Sequence, residues 1–483
     1  MTLSPLAVFS VLFVPLLLGA GLVHALGLRW RDDPLAYPVW CALTGGLGTA
    51  ALLYLWSWLG WPYDARLIAP VVLALGAASA WLGTRTGRPP GLALAQPTRR
   101  VPWFETALFR VLVLLLVAAT VARAVRTSTV AVALGDEAVI WTRKAQLLFD
   151  AGGLNDLFGV RARAFGSHED YPMLNPLLQV WAFAHARALL WVEARIPIQV
   201  FALALVLAQA AALRRILRPG AAALVLAIVF FVDASTRKPC TGTAEPMVAL
   251  GLLVAADAGL RWLASRAVTW ARLFFVALAF LVGTKHEGAL LGLSVLLGCA
   301  TCALVSRTVP RWPRPRQIAW AALPLAVLAA GWFVNLRFGF QNLASASPLA
   351  ILTGRFQERI GPIVSGFAQL FFARPRWNAG VFAIWIVLSL LAPARTLRGP
   401  ARPLALGCWF ALAGWVLVYL TTPYDLDWHL ISSAPRVTYQ VVPTFGLWVG
   451  LMLAQDPWFG RFVRARRAAA STPTARAGTL ALG

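Results

Sequence analysis

The chain has 483 residues, 59% of them hydrophobic and only 13% charged, with 43 Lys and Arg against 19 Asp and Glu. An ordinary globular chain carries about 25% charged and 45–50% apolar residues, so these proportions exclude a disordered chain and disfavour a soluble multidomain enzyme. The net charge of +24 would suit nucleic acid only if it lay on one soluble surface, and the apolar composition leaves no such surface.

The apolar residues come in runs of about 18 or more, the length that crosses a hydrocarbon core of roughly 30 Å at 1.5 Å per residue. Backbone groups at that depth have no water to pair with, so the runs are expected to be helices. The expected fold class is an all-α polytopic membrane protein with about 13 transmembrane helices. The candidate spans are 6–28, 37–60, 66–84, 105–124, 196–213, 221–235, 243–262, 268–283, 288–306, 317–336, 377–393, 402–421 and 437–455. Met1 to Leu28 has no basic stretch ahead of its apolar run and no small-residue cleavage site, and reads as a span. Five cysteines lie mostly in or beside the runs and form no disulfide framework, and Cys299-x-x-Cys302 reads as packing.

Arginines then orient the chain. Arg85 to Arg100, Arg214 to Arg218, Arg261 to Arg272, Arg307 to Arg316, Arg395 to Arg402 and the tail from Arg461 mark the cytoplasmic side. That side holds 24 basic and 5 acidic residues, the other 18 and 14, with Arg110 inside a span. Counting from either flank leaves 172–191 between two outer segments, so it reads as a re-entrant or half-inserted helix, or two short ones. Four regions follow: N-terminal spans (1–124), an outer loop with an interfacial helix (125–171), a transmembrane bundle (172–455) with outer loops 337–376 and 422–436, and a basic cytoplasmic tail (456–483).

An anchor needs only short, bland outer loops, whereas these are long and titratable. The first begins Gly135-Asp136-Glu137 and runs to Asp150. At 100° per residue Asp136, Arg143 and Asp150 share one stripe, with Trp141, Ala145, Leu148 and Phe149 opposite, as in a helix lying in the interface. Asp136 and Glu137 can cap that helix or serve a site. The loop ends His168-Glu169-Asp170-Tyr171-Pro172, a second acidic pair that is either a solvated charge run or the far rim of a cavity mouth. Glu245 heads a span, and Lys285-His286-Glu287 sits between two spans with almost no loop, where ionisable groups pair with one another or serve a site. The last outer loop carries Tyr424, Trp428 and His429, and then Arg436, which reads either as a snorkelling residue or as a fork for phosphate.

In order and sidedness, Trp141…Lys144-Ala145, His168-x-Asp170-Tyr171-Pro172-x-Leu174, Lys285-x-Glu287-Gly288 and Trp428-His429-Leu430-x-Ser432-x-x-x-Arg436 resemble the GT-C glycosyltransferases. That superfamily includes protein O-mannosyltransferases and lipid A aminoarabinose transferases, and the likeness is strongest to an uncharacterised bacterial branch. It covers about 120–440. The resemblance implies an inner-membrane enzyme that moves a sugar, with inversion, from a polyprenyl-phosphate donor to a lipid, glycan or protein acceptor on the periplasmic side. It assigns Asp136 as general base and Glu137 as its assistant. Better-studied members carry Lys-Pro-Pro where this chain has Asp170-Tyr171-Pro172, so the donor phosphate falls to Lys285, His286, His429 and Arg436. His168, Glu169, Asp170, Tyr171, Glu245 and Glu287 are left for acceptor and sugar. No cofactor is required on this reading, because Lys and Arg neutralise a monophosphate leaving group; His168, Glu169 and Asp170 carry the donor atoms a divalent metal would take. The competing functions are a transporter or flippase of lipid-linked sugars, whose site would lie near the midplane, and a glycan ligase using a polyprenyl diphosphate carrier.

Overall fold

The computed structural model describes residues 3–85, 101–130, 132, 135–166, 168–231, 240–305, 315–340, 348–373, 377–422 and 424–455. Among them there is no strand. In chain order the helices are α1 (Pro5–Leu26), α2 (Ala36–Trp58), α3 (Ala65–Arg85), α4 (Trp103–Thr127), α5 (Arg143–Asp150), α6 (Asp156–Phe165), α7 (Leu174–Ala186), α8 (Ile196–Ile216) and α9 (Pro219–Phe231). They continue as α10 (Glu245–Ser265), α11 (Val268–Thr284), α12 (His286–Val305), α13 (Pro315–Phe338), α14 (Pro348–Ala368), α15 (Trp377–Leu391), α16 (Pro393–Arg398), α17 (Arg402–Thr421) and α18 (Leu426–Gln455).

Ten of the described helices are long and apolar enough to cross a membrane: α1 to α4, α8, α10, α12, α13, α17 and α18. The spans expected at 221–235, 268–283 and 377–393 fall on α9, α11 and α15, of 13, 17 and 15 residues. The described part of the chain therefore supports a polytopic helical membrane protein, while the figure of 13 spans exceeds the ten of crossing length. Several loops of the arginine pattern, including 86–100 and 306–314, the tail from 456, and part of the expected 337–376 loop lie outside the described residues.

The disputed segment is a single helix. α7 has 13 residues, about 20 Å at 1.5 Å per residue, too short to cross. It ends at Arg187, whose φ of 53° is left-handed. Residues 174–184 are all buried, and Trp181 Nε1 donates to the Val11 carbonyl of α1 at 3.1 Å. A half-length helix is thus enclosed by protein over 174–184, and only its C-terminal end at Arg187 is exposed.

Close helix contact comes from small residues, as expected where lipid supplies no hydrophobic drive between helices. A Cβ at Gly19 would overlap the Cys41 carbonyl, and one at Gly45 the Pro15 carbonyl, so α1 and α2 meet backbone to backbone.

α8 and α10 carry a charge cluster at each end. At one end Asp33 accepts from Arg215 at 2.8 Å and Arg261 at 2.7 Å, and Asp257 pairs with both arginines. Burial pushes the Asp33 carboxyl up, but the guanidiniums of Arg215 and Arg261 together hold it below its ordinary value. At the other end stand Arg195, just before α8, and Glu245, which opens α10. The rise along α8 separates the two ends by about 30 Å.

Candidate functional site

The π-helical turn Glu137–Thr142 leads into α5, so the 100° count begins only at Arg143. Ala145 and Leu148 are buried and Asp150 is exposed, but Lys144, Gln146 and Leu147 are buried as well and Phe149 only half-buried, so α5 is enclosed over 144–148 instead of along one stripe. Gly135, with φ of 77°, turns the chain into this segment through a conformation that side chains rarely adopt.

The first acidic pair divides its work. Glu137 is held on both sides: its Oε1 accepts from Arg195 Nε at 2.8 Å and from the Gly242 amide at 2.6 Å. Arg195 also donates to the carbonyls of Thr127 and Val130. Arg195 and Glu137 expose only 5% and 13% of their side chains, so this is a buried buttress fastening the turn to α8 and to the corner before α10. Asp136 is the open member. It pairs with Arg436 of α18, and the two side chains are 38% and 27% exposed.

The second acidic pair forms a turn closed by the Tyr171 amide donating to the His168 carbonyl at 3.1 Å. Asp170 Oδ2 lies 3.0 Å from His286 Nε2, and Asn335 donates to the Asp170 carbonyl at 3.2 Å. The Tyr171 ring packs against Trp141, His168 and His286 with centroids 5.5, 4.6 and 5.0 Å away. Burial, ahead of the charges around it, holds the His168 imidazole below its ordinary pKa, although Asp170 pulls it upward.

Beneath this turn lies a lysine that the resemblance included but gave no role. Lys144, buried in α5, donates to the carbonyls of Glu169, at 2.7 Å, and Tyr171. Burial pulls it from 10.5 down to about 7, against the upward pull of Asp170 and Glu169. Between those values the unfolded chain binds the extra proton, so this group makes stability rise with pH from about 7 to 10.5. Thermal unfolding of the parent and Lys144→Met in detergent across that window should show the parent gaining on the variant as pH rises. A difference that does not change with pH would show that Lys144 titrates normally.

Lys285 sits between α11 and α12 with extended backbone, and its Nζ reaches Glu287 at 2.9 Å and Glu245 at 3.3 Å. Only 3% of its side chain is exposed. Burial works against its charge, but Glu287 and Glu245 outweigh that and raise its pKa above the ordinary lysine value. The ammonium expected to face a phosphate is therefore already enclosed by two carboxylates. His429 meets the rings of Tyr419 and Tyr424 edge-on, with centroids 5.0 and 5.6 Å away, and its buried Nδ1 has no hydrogen-bond partner among the described residues.

The groups named from sequence are joined by contacts. The Gly242 corner that holds Glu137 leads within three residues to Glu245 and so to Lys285. Trp141 packs with Ala244 and Tyr171, and Lys285 lies 5.9 Å from the Tyr171 ring centre. His429 is in electrostatic reach of Glu287 and His168. Five separated segments thus bring acids and cations to one end of the bundle. Among the described residues, no three His, Cys, Asp or Glu side chains are grouped so as to hold a metal. Arg195 and Asn335 are the contributors that sequence reasoning missed, and Lys144 was named only within the Trp141…Lys144-Ala145 motif, without a role; Arg195 left a trace as a cation standing beside Pro197 at the head of a span.

Compared with protein-family models, with curated proteins and with solved structures, the chain matches none.

Proposed function

We propose that the chain is an inverting glycosyltransferase of GT-C type, using a polyprenyl-phosphate sugar and an acceptor hydroxyl at the outer face of the inner membrane. The observation that carries this reading is the meeting of Asp136 and Arg436: an open carboxylate and a guanidinium that lies about three turns into α18, directly after Pro435, because α18 begins at Leu426 and not at 437.

Breaking a sugar–phosphate bond makes the sugar carbon positive and the leaving oxygen negative, so a site needs a base on one side and a fixed cation on the other. In the proposed step the acceptor oxygen attacks the anomeric carbon from the face opposite the phosphate. Asp136 takes the hydroxyl proton, and the carbon–oxygen bond to phosphate breaks with its electron pair going to the phosphate. Arg436 receives the phosphate, with His429 beside it. A planar guanidinium suits this role because its donors match phosphate oxygens in pairs. Glu137 acts on the reaction only by fixing the turn that carries Asp136. His168, Glu169, Asp170, Tyr171 and His286 line the acceptor and sugar side. Lys285, Glu245 and Glu287 form a charged support beneath them.

The test is direct. Lipids extracted from the purified protein, analysed by mass spectrometry, should contain prenyl phosphates. Transfer from a radiolabelled prenyl-phosphate sugar should fall about 10²–10³-fold in Arg436→Ala, the loss typical of removing one electrostatic contact to a developing anion. Parent-like transfer by this variant would remove the phosphate assignment.

A further inference from the structure

The two groups assigned opposite roles in the reaction are bonded to each other. Among the described residues Asp136 has no hydrogen-bond or ion-pair partner other than Arg436. The neighbouring buttress differs in kind: Glu137 and Arg195 are nearly enclosed and share several further bonds, whereas the Asp136–Arg436 pair is open to its surroundings. Arg436 also keeps a buried Nε without a hydrogen-bond partner among the described residues, so its fork is only partly used.

A carboxylate bound to a guanidinium accepts a proton poorly, and a guanidinium bound to a carboxylate is a weakened phosphate site. Both costs vanish together if one anion replaces the other. We infer that the Asp136–Arg436 pair is a latch opened by the donor: the phosphate of a prenyl-phosphate lipid displaces Asp136 from Arg436 and so releases the carboxylate to face the acceptor. This inference rests on the proposed transferase reading and adds a binding order, donor before acceptor. It also gives the resting site a reason not to deprotonate hydroxyl groups when no donor is bound.

Displacement has a signature that a simple binding site lacks. Removing the competing carboxylate should tighten phosphate binding, since apparent affinity is reduced by the fraction of protein in which the site is occupied internally. Farnesyl phosphate is a suitable probe, titrated into the purified full-length protein in detergent. Asp136→Asn should bind it roughly three- to ten-fold more tightly than the parent, and Asp136→Glu, which restores a carboxylate, should bind it as the parent does. Asp136→Ala gives the same reading should the amide variant fold poorly. Equal or weaker binding by the Asn and Ala variants overturns the latch. Inorganic phosphate and farnesol are the controls: the same gain for inorganic phosphate overturns the lipid requirement, and a gain for farnesol overturns anion competition. The two proposals fail separately. An inactive Asp136→Asn that binds no tighter sinks the latch and leaves the reaction, and one that binds tighter yet transfers sugar at the parent rate sinks the base and leaves the latch.

Discussion

Asp136→Asn should lower sugar transfer by about 10²–10⁴-fold, the usual contribution of a positioned general base, while the protein stays folded and inserted. The expectation of normal folding has a structural ground. Asp136 is the more exposed partner of its ion pair, and the turn that carries it is secured through Glu137 to Arg195 and Gly242. Single-turnover transfer measured with donor in excess isolates the chemical step from donor binding, which the same substitution is expected to strengthen. Near-normal turnover under those conditions would remove the base assignment. Glu137→Gln makes the contrast: it breaks a buried charged bond to Arg195, so its loss should appear in stability and turnover together.

Lys285→Met should be the most destabilising single change considered. It leaves Glu245, with 3% of its side chain exposed, and Glu287, with 20%, facing each other without their cation. Breaking a buried ion pair by removing one partner costs about 3–5 kcal/mol, because the remaining charge is uncompensated. Thermal or denaturant unfolding of the purified variant measures this. Lys285→Met combined with Glu245→Gln should recover part of the loss, since it removes one of the two acids that share Lys285. If the single variant is as stable as the parent, the ammonium is not what balances these carboxylates. Farnesyl phosphate binding by the folded fraction then separates a supporting Lys285 from one that touches the donor.

Much of the scaffold was legible in the sequence for one reason: in lipid, a backbone must satisfy its own hydrogen bonds, so run length alone signals a helix. The odd character of 172–191 followed from charges that would not alternate across it. The limits of the same reasoning are equally physical. Run length does not fix a helix's bounds: among the described residues α9, α11 and α15 extend over 13, 17 and 15 residues. Lys144 stood in the Trp141…Lys144-Ala145 motif without a role, and the structure buries it beneath the 168–171 turn with carbonyls as its bonded partners.

By itself, the sequence determined that the chain is helical and membrane-embedded and that acids and cations gather at span boundaries, because both follow from the transfer cost of single residues. Tertiary structure alone decided the pairings: Asp136 with Arg436, Glu137 with Arg195, Lys285 with Glu245. These partners stand about 300, 58 and 40 positions apart in the chain. Which acid meets which base depends on how each helix is rotated and how closely small residues let its neighbours approach, and no local pattern carries that information.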